Sequence, residues 1–121
     1  MQKENSKILI IDDEPEIRYT LSRFLTRNGF EVKTAGTLKE GKLKIRKNIP
    51  DLVFLDVNLP DGNGIEELPD FSSQSAKSVF IIMSAFDHKE AKEKALNLGA
   101  KVFLSKPFNI EELNQIVNTY K

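Results

Sequence analysis

The chain has no cysteine, which removes disulfide frameworks and thiolate chemistry and fits a reducing compartment. It has no excess of charge: eighteen Lys and Arg balance eighteen Asp and Glu, so the total points to neither a nucleic-acid nor a membrane partner. Long apolar runs are missing too. The longest, Val79–Met83, falls far short of a membrane span, and the polar N-terminus MQKENSK lacks the apolar stretch of a secretion signal. Histidine occurs once, at His88, and reads as a solvated helix-start residue, not a phosphoryl carrier. A soluble, cytoplasmic protein is expected, with no membrane association and no direct nucleic-acid contact.

What remains is an ordinary globular composition, 40% apolar and 30% charged, over 121 residues. That length suits one domain with a real core. Ile8–Ile11, Leu52–Leu55 and Val79–Met83 are nearly unbroken apolar runs, as parallel strands covered on both faces require. Glu31–Ala35 and Lys101–Ser105 are weaker strand candidates. Amphipathic segments lie between them. Pro15 opens a stripe of Ile17, Leu21, Phe24 and Leu25 that ends near Asn28-Gly29. Leu38, Gly41 and Ile45 make a thinner stripe, which Gly41 should weaken by about 1 kcal/mol relative to Ala. Asp87 with Glu90 and Asn109 with Glu112 read as helix starts, the latter leading Leu113, Ile116, Val117 and Tyr120. Pro69 interrupts Ile65, Leu68 and Phe71, so the third helix is expected to be short or displaced, with a mobile loop over Ser72–Ser78. Five strand–helix units with right-handed crossovers make an α/β, doubly wound parallel sheet.

In such sheets the binding crevice lies at the carboxyl ends of the strands. Strand one ends in Asp12-Asp13, strand three in Asp56, strand four in Ser84-Ala85 and strand five in Ser105-Lys106-Pro107. Three carboxylates, a hydroxyl and an ammonium should therefore converge. An oxygen-only acidic pocket favours Mg²⁺, or Mn²⁺, over zinc. A lysine beside such a metal and a carboxylate suits phosphoryl transfer, with Asp56 as nucleophile forming an acyl phosphate.

The stretches "IIDDEP", "PDLVFLDVNLPDGNG", "IIMSAF" and "FLSKPFNIEEL", in this order and spacing, resemble a response-regulator receiver domain of two-component signalling. The resemblance covers residues 1–121 as a single receiver domain. It implies a flavodoxin-like (βα)5 fold with strand order 2-1-3-4-5, and Asp56 as acceptor of a phosphoryl group from a histidine kinase or phosphotransfer protein. It further implies that Asp13, Asp56 and the backbone carbonyl of Asn58 hold Mg²⁺, with Asp12 acting mainly through water. Ser84 and Lys106 would contact the phosphoryl oxygens, and the Lys106-Pro107 bond would be cis. Phe103 takes the switch-aromatic position: Ser84 moves toward the phosphoryl group and Phe103 turns inward. That repacks the surface of the fourth helix, fifth strand and fifth helix, where an output domain, a target protein or a second copy binds. Such a domain is not an enzyme beyond catalysing its own phosphorylation and dephosphorylation. Phe86, beside the site, would either shield the acyl phosphate or serve docking.

Other functions fit less well. A flavin or nucleotide binder needs a Gly- or Ser/Thr-rich phosphate loop after strand one, where this chain has "DDEPE". An aspartyl-phosphate hydrolase usually carries a second acid two residues past the nucleophile, and here that residue is Asn58. A phosphorylation-independent interaction module of receiver fold is the remaining alternative. The output is either that of a stand-alone receiver or that of the N-terminal receiver of a transcription regulator. Lys106→Ala is expected to spare the fold, because Lys106 is placed on a solvent-accessible rim.

Overall fold

The computed structural model describes residues 6–85 and 89–121. Five strands, β1 (Lys7–Ile11), β2 (Glu31–Ala35), β3 (Leu52–Asp56), β4 (Val79–Ser84) and β5 (Val102–Ser105), pair in parallel in the order β2-β1-β3-β4-β5. Alternating with them are α1 (Pro15–Arg27), α2 (Leu38–Lys47), α3 (Leu68–Gln74), α4 (Lys89–Asn97) and α5 (Ile110–Tyr120). This is the expected doubly wound arrangement.

The sheet explains the character of each run. β1, β3 and β4 are interior strands and are buried on both faces, so nearly every residue is apolar. β2 lies at an edge and alternates between exposed and half-buried positions until Ala35, which is why its run is weak. Side chains alternate between two cores. Ile8, Ile10, Phe54, Ile81, Met83 and Leu104 pack with Leu21 and Leu25 of α1 and Leu113 and Val117 of α5. Leu9, Ile11, Leu55 and Ile82 face the opposite layer, with Ile45 of α2, Leu68 and Phe71 of α3 and Ala95 of α4. Each fully buried Ile or Leu contributes about 1.5–3 kcal/mol of transfer free energy.

The helix ends follow their local signals. Pro15 stands in the first turn of α1, where its missing N–H costs no hydrogen bond. Asn109 and Glu112 form the expected reciprocal capping box on α5. In α2, Thr37 accepts from the Glu40 amide at 3.1 Å. A Cβ on Gly41 would lie 2.5 Å from Ile11 Cδ1, so the weak helix former is what lets α2 settle onto β1. The expected Asp87 start of α4 lies outside the described residues.

Pro69 sits in the first turn of α3, consistent with a short third helix. The loop expected over Ser72–Ser78 begins three residues later than that, at Ser75, and runs to Ser78. Residues 72–74 are helical, and the buried Ser75 bonds Ser78, whose hydroxyl also donates to the Pro50 carbonyl. Pro69 shortens the helix from its start rather than its end, because it stands in the first turn. Between β3 and α3 there is also a two-residue antiparallel hairpin, Asn58–Leu59 with Gly62–Asn63.

Candidate functional site

Asp12 and Asp13 follow β1, Asp56 and Ser84 end β3 and β4, and Lys106 follows β5, so the predicted residues occupy one rim of the sheet. Asp12 has no exposed surface and is held on every side. Its amide donates to the Ala35 carbonyl at 3.0 Å, and its own carbonyl accepts from Arg18 Nη1 at 2.7 Å. Its Oδ1 accepts from the Glu14 amide at 2.9 Å, and its Oδ2 from Lys106 Nζ at 2.9 Å. The same ammonium lies 3.4 Å from Asp56 Oδ1 and 3.4 Å from Glu14 Oε1.

Lys106 is on this rim but is barely solvent-accessible there. Only 11% of its side chain is exposed, because the backbone returns toward β4 immediately after β5: its amide donates to the Ser84 carbonyl at 2.7 Å. The Lys106-Pro107 bond is cis, as the resemblance implies. Burial alone would discharge this ammonium. The hydrogen bond it donates to Asp12 and the charges of Asp56, Asp12 and Glu14 outweigh burial and hold the lysine above its ordinary value.

Asp12, Asp13 and Asp56 each present a carboxylate oxygen within 4.8 Å of the others. Asp13 is exposed, whereas Asp56 is only 6% exposed. Burial first, and the Asp12 charge second, push Asp56 from 3.8 up to about 6, with Lys106 offsetting part of the rise. The pocket thus holds more negative charge than one lysine neutralises. All of its acidic donors are oxygens, the ligand set of a hard divalent cation. The residues fit such an ion.

Ser84 is buried at the same rim, paired in register with Ser105. Phe103 is two positions earlier on β5, opposite Ile82. It is half-buried and packs, with Ala91 and Leu98, against the α2–α4 core. Phe86 and His88 lie outside the described residues. Sequence reasoning missed three contributors: Glu14 as a partner of Lys106, Arg18 on the Asp12 carbonyl, and Gly64. A Cβ on Gly64 would lie 2.1 Å from the Asp56 carbonyl oxygen, so no other residue lets the chain return so close to that aspartate. Glu14 was visible in "DDEP" as a third consecutive acid; nothing in the sequence marked Gly64 as more than a turn residue.

Known proteins resemble this chain in sequence and in fold. The sequence model described as response regulator receiver domain matches residues 8–118. The KDP operon transcriptional regulatory protein KdpE of Escherichia coli is 44% identical over 108 residues, covering 89% of this chain and 48% of KdpE. Sporulation initiation phosphotransferase F of Bacillus subtilis is 33% identical over 116 residues, covering 96% of this chain and 94% of that protein. The solution structure of the beryllofluoride-activated NtrC4 receiver domain dimer superposes with a TM-score of 0.88 at 34% identity, covering 94% of this chain and 95% of that one. The chain spans about half or less of the length of the first curated relatives that it matches. Among the described residues no helix is long and apolar enough to cross a membrane. With the strand order, the rim of acids and the matching family model in agreement, this chain belongs to the response regulator receiver domains, the signalling domains of two-component systems.

Proposed function

We propose that Asp56 accepts a phosphoryl group from a phosphohistidine on a sensor kinase or phosphotransfer protein. An Asp56 oxygen attacks phosphorus; the new P–O bond forms as the P–N bond breaks, and the electron pair leaves with the imidazole nitrogen. One observation carries the reading: a buried aspartate, raised to about 6, with a lysine ammonium 3.4 Å away. At neutral pH Asp56 is ionised and nucleophilic, yet incompletely compensated. Lys106 moves from Asp12 toward a phosphoryl oxygen, and the Ser84 hydroxyl donates to another. Asp13, Asp56 and the Asn58 carbonyl would hold Mg²⁺, or Mn²⁺, with Asp12 acting through water. When bound, the ion neutralises charge on the transferring oxygens. Accelerating its own phosphorylation and dephosphorylation in this way is the domain's only catalysis. The test is Mg²⁺-dependent labelling by acetyl phosphate. Asp56→Asn should abolish it, and undiminished stoichiometric labelling of that variant would remove Asp56 from the role.

The proposed response is a population shift. Ser84 is drawn to the phosphoryl group and Phe103 turns toward the space it leaves, altering the face made by α4, β5 and α5. The half-burial of Phe103 on edge strand β5 supports this. That face is the proposed site for an output domain, a target protein or a second copy; the related NtrC4 receiver is described as a dimer. The relatives offer two outputs: one attached to a longer regulator, as the 48% coverage of KdpE suggests, and one without, as the 94% coverage of the sporulation phosphotransferase suggests. The reading frame beyond Lys121 separates them. A phosphorylation-independent module has less support, because Asp12, Asp13, Asp56, Ser84 and Lys106 are all present and gathered.

A further inference from the structure

Asp61 stands at the tip of the Asn58–Asn63 hairpin, and its carboxylate is spent on another element. Its two oxygens accept from the amides of Leu38 and Lys39, at 2.8 and 3.0 Å, across more than twenty residues of chain. Those amides belong to the first turn of α2, where N–H groups have no partner within the helix. The hairpin also rests on α2 directly: a Cβ on Gly62 would lie 2.8 Å from Leu38 Cδ1. The base of the hairpin closes through Gly64 N to Val57 O at 2.8 Å, and Val57, which directly follows β3, is tied to β4 through its amide to Met83 O at 3.1 Å. Its base is therefore fixed by the sheet, and its tip by Asp61.

We infer that Asp61 is a positioning residue for the divalent ion: by clamping the hairpin to α2 it holds the Asn58 carbonyl in place and so sets the affinity of the pocket. The inference rests on the proposed metal role of that carbonyl. Without the clamp the hairpin is held from its base alone, and the Asn58 carbonyl, which stands between that base and the freed tip, is held less firmly relative to the carboxylates. Partners behind metal ligands commonly matter by about tenfold or more in affinity.

A helix-cap role alone predicts something different, and Thr37 supplies the control. Thr37 caps the same turn of α2 through Glu40 N but touches no part of the hairpin's hydrogen bonding. The experiment is Mg²⁺ titration of metal-free protein by calorimetry, on wild type, Asp61→Ala, Asp61→Asn and Thr37→Ala, with a thermal melt of each. Asp61→Ala should weaken Mg²⁺ binding about tenfold and Asp61→Asn, which keeps one acceptor oxygen, by less. Thr37→Ala should lower the melting temperature and leave Mg²⁺ affinity unchanged. Wild-type affinity in both Asp61 variants, or an equal loss in Thr37→Ala, would overturn the clamp while leaving the metal site standing. Failure of wild type itself to bind Mg²⁺ would overturn the metal reading, and the clamp with it.

Discussion

Asp56→Asn should make the metal-free protein more stable at neutral and alkaline pH. In the folded chain burial, and then the neighbouring Asp12 charge, raise Asp56 from 3.8 to about 6. A rise of that size means that the ionised carboxylate opposes folding by about 3 kcal/mol once the pH exceeds the folded value. The sign follows from linkage: below pH 3.8 both states are protonated and the penalty is absent, and it grows as the pH climbs toward 6, where it levels off. An amide of the same shape carries no such charge. For a domain of this size about 3 kcal/mol corresponds to about 10 °C in melting temperature. Thermal melts by circular dichroism in chelator, from pH 4 to pH 8, should show wild type and variant close together near pH 4, separating as the pH rises to 6, and keeping a constant gap above it. Mg²⁺ should close the gap by stabilising wild type more than the variant, since a ligand that binds only the native state raises its stability. If Asp56→Asn melts at or below wild type at pH 8 in chelator, the reasoning about an under-compensated buried aspartate is wrong.

Two further outcomes follow from the same geometry. Lys106→Ala should destabilise the fold by about 3 kcal/mol at pH 7, because it leaves the fully buried Asp12 and nearly buried Asp56 without their cation; denaturant melts should show part of the loss fading as the pH falls below about 6 and Asp56 takes up its proton. This replaces the expectation that the lysine could be removed without cost. Gly64→Ala should cost several kcal/mol and suppress labelling of Asp56, because its Cβ would sit 2.1 Å from the Asp56 carbonyl oxygen and backbone must move to relieve it; near-wild-type stability together with near-wild-type labelling would refute it.

Much of this was legible in the sequence, for identifiable reasons. Interior strands β1, β3 and β4 carry a physical signature, apolar residues at successive positions, because both faces are covered. Their ends could then be read as one rim, which is where Asp12, Asp13, Asp56, Ser84 and Lys106 meet. What was not legible depends on contacts between distant segments. The burial of Lys106 arises because its amide meets the Ser84 carbonyl and its ammonium meets Asp12, 94 residues away. Nothing in "LPDGNG" singles out Asp61, yet its partners are on α2. The helical state of Ser72–Gln74 was not legible, because Pro69 reads as an interruption, whereas it opens the helix. Local composition cannot report a partner that lies two elements away.

The strict alternation along β5 has a mechanical meaning. Phe103 belongs to the layer of α2, α3 and α4, and its neighbour Leu104 to the layer of α1 and α5. Neighbouring residues on one strand thus belong to two separate compartments with the sheet as the wall between them. In the proposed switch, a rotation of Phe103 disturbs only the first compartment. The second, which Leu104 shares with Leu113 and Val117 of α5, is reached only across the strand, so the face made by α4, β5 and α5 changes chiefly from its α4 side.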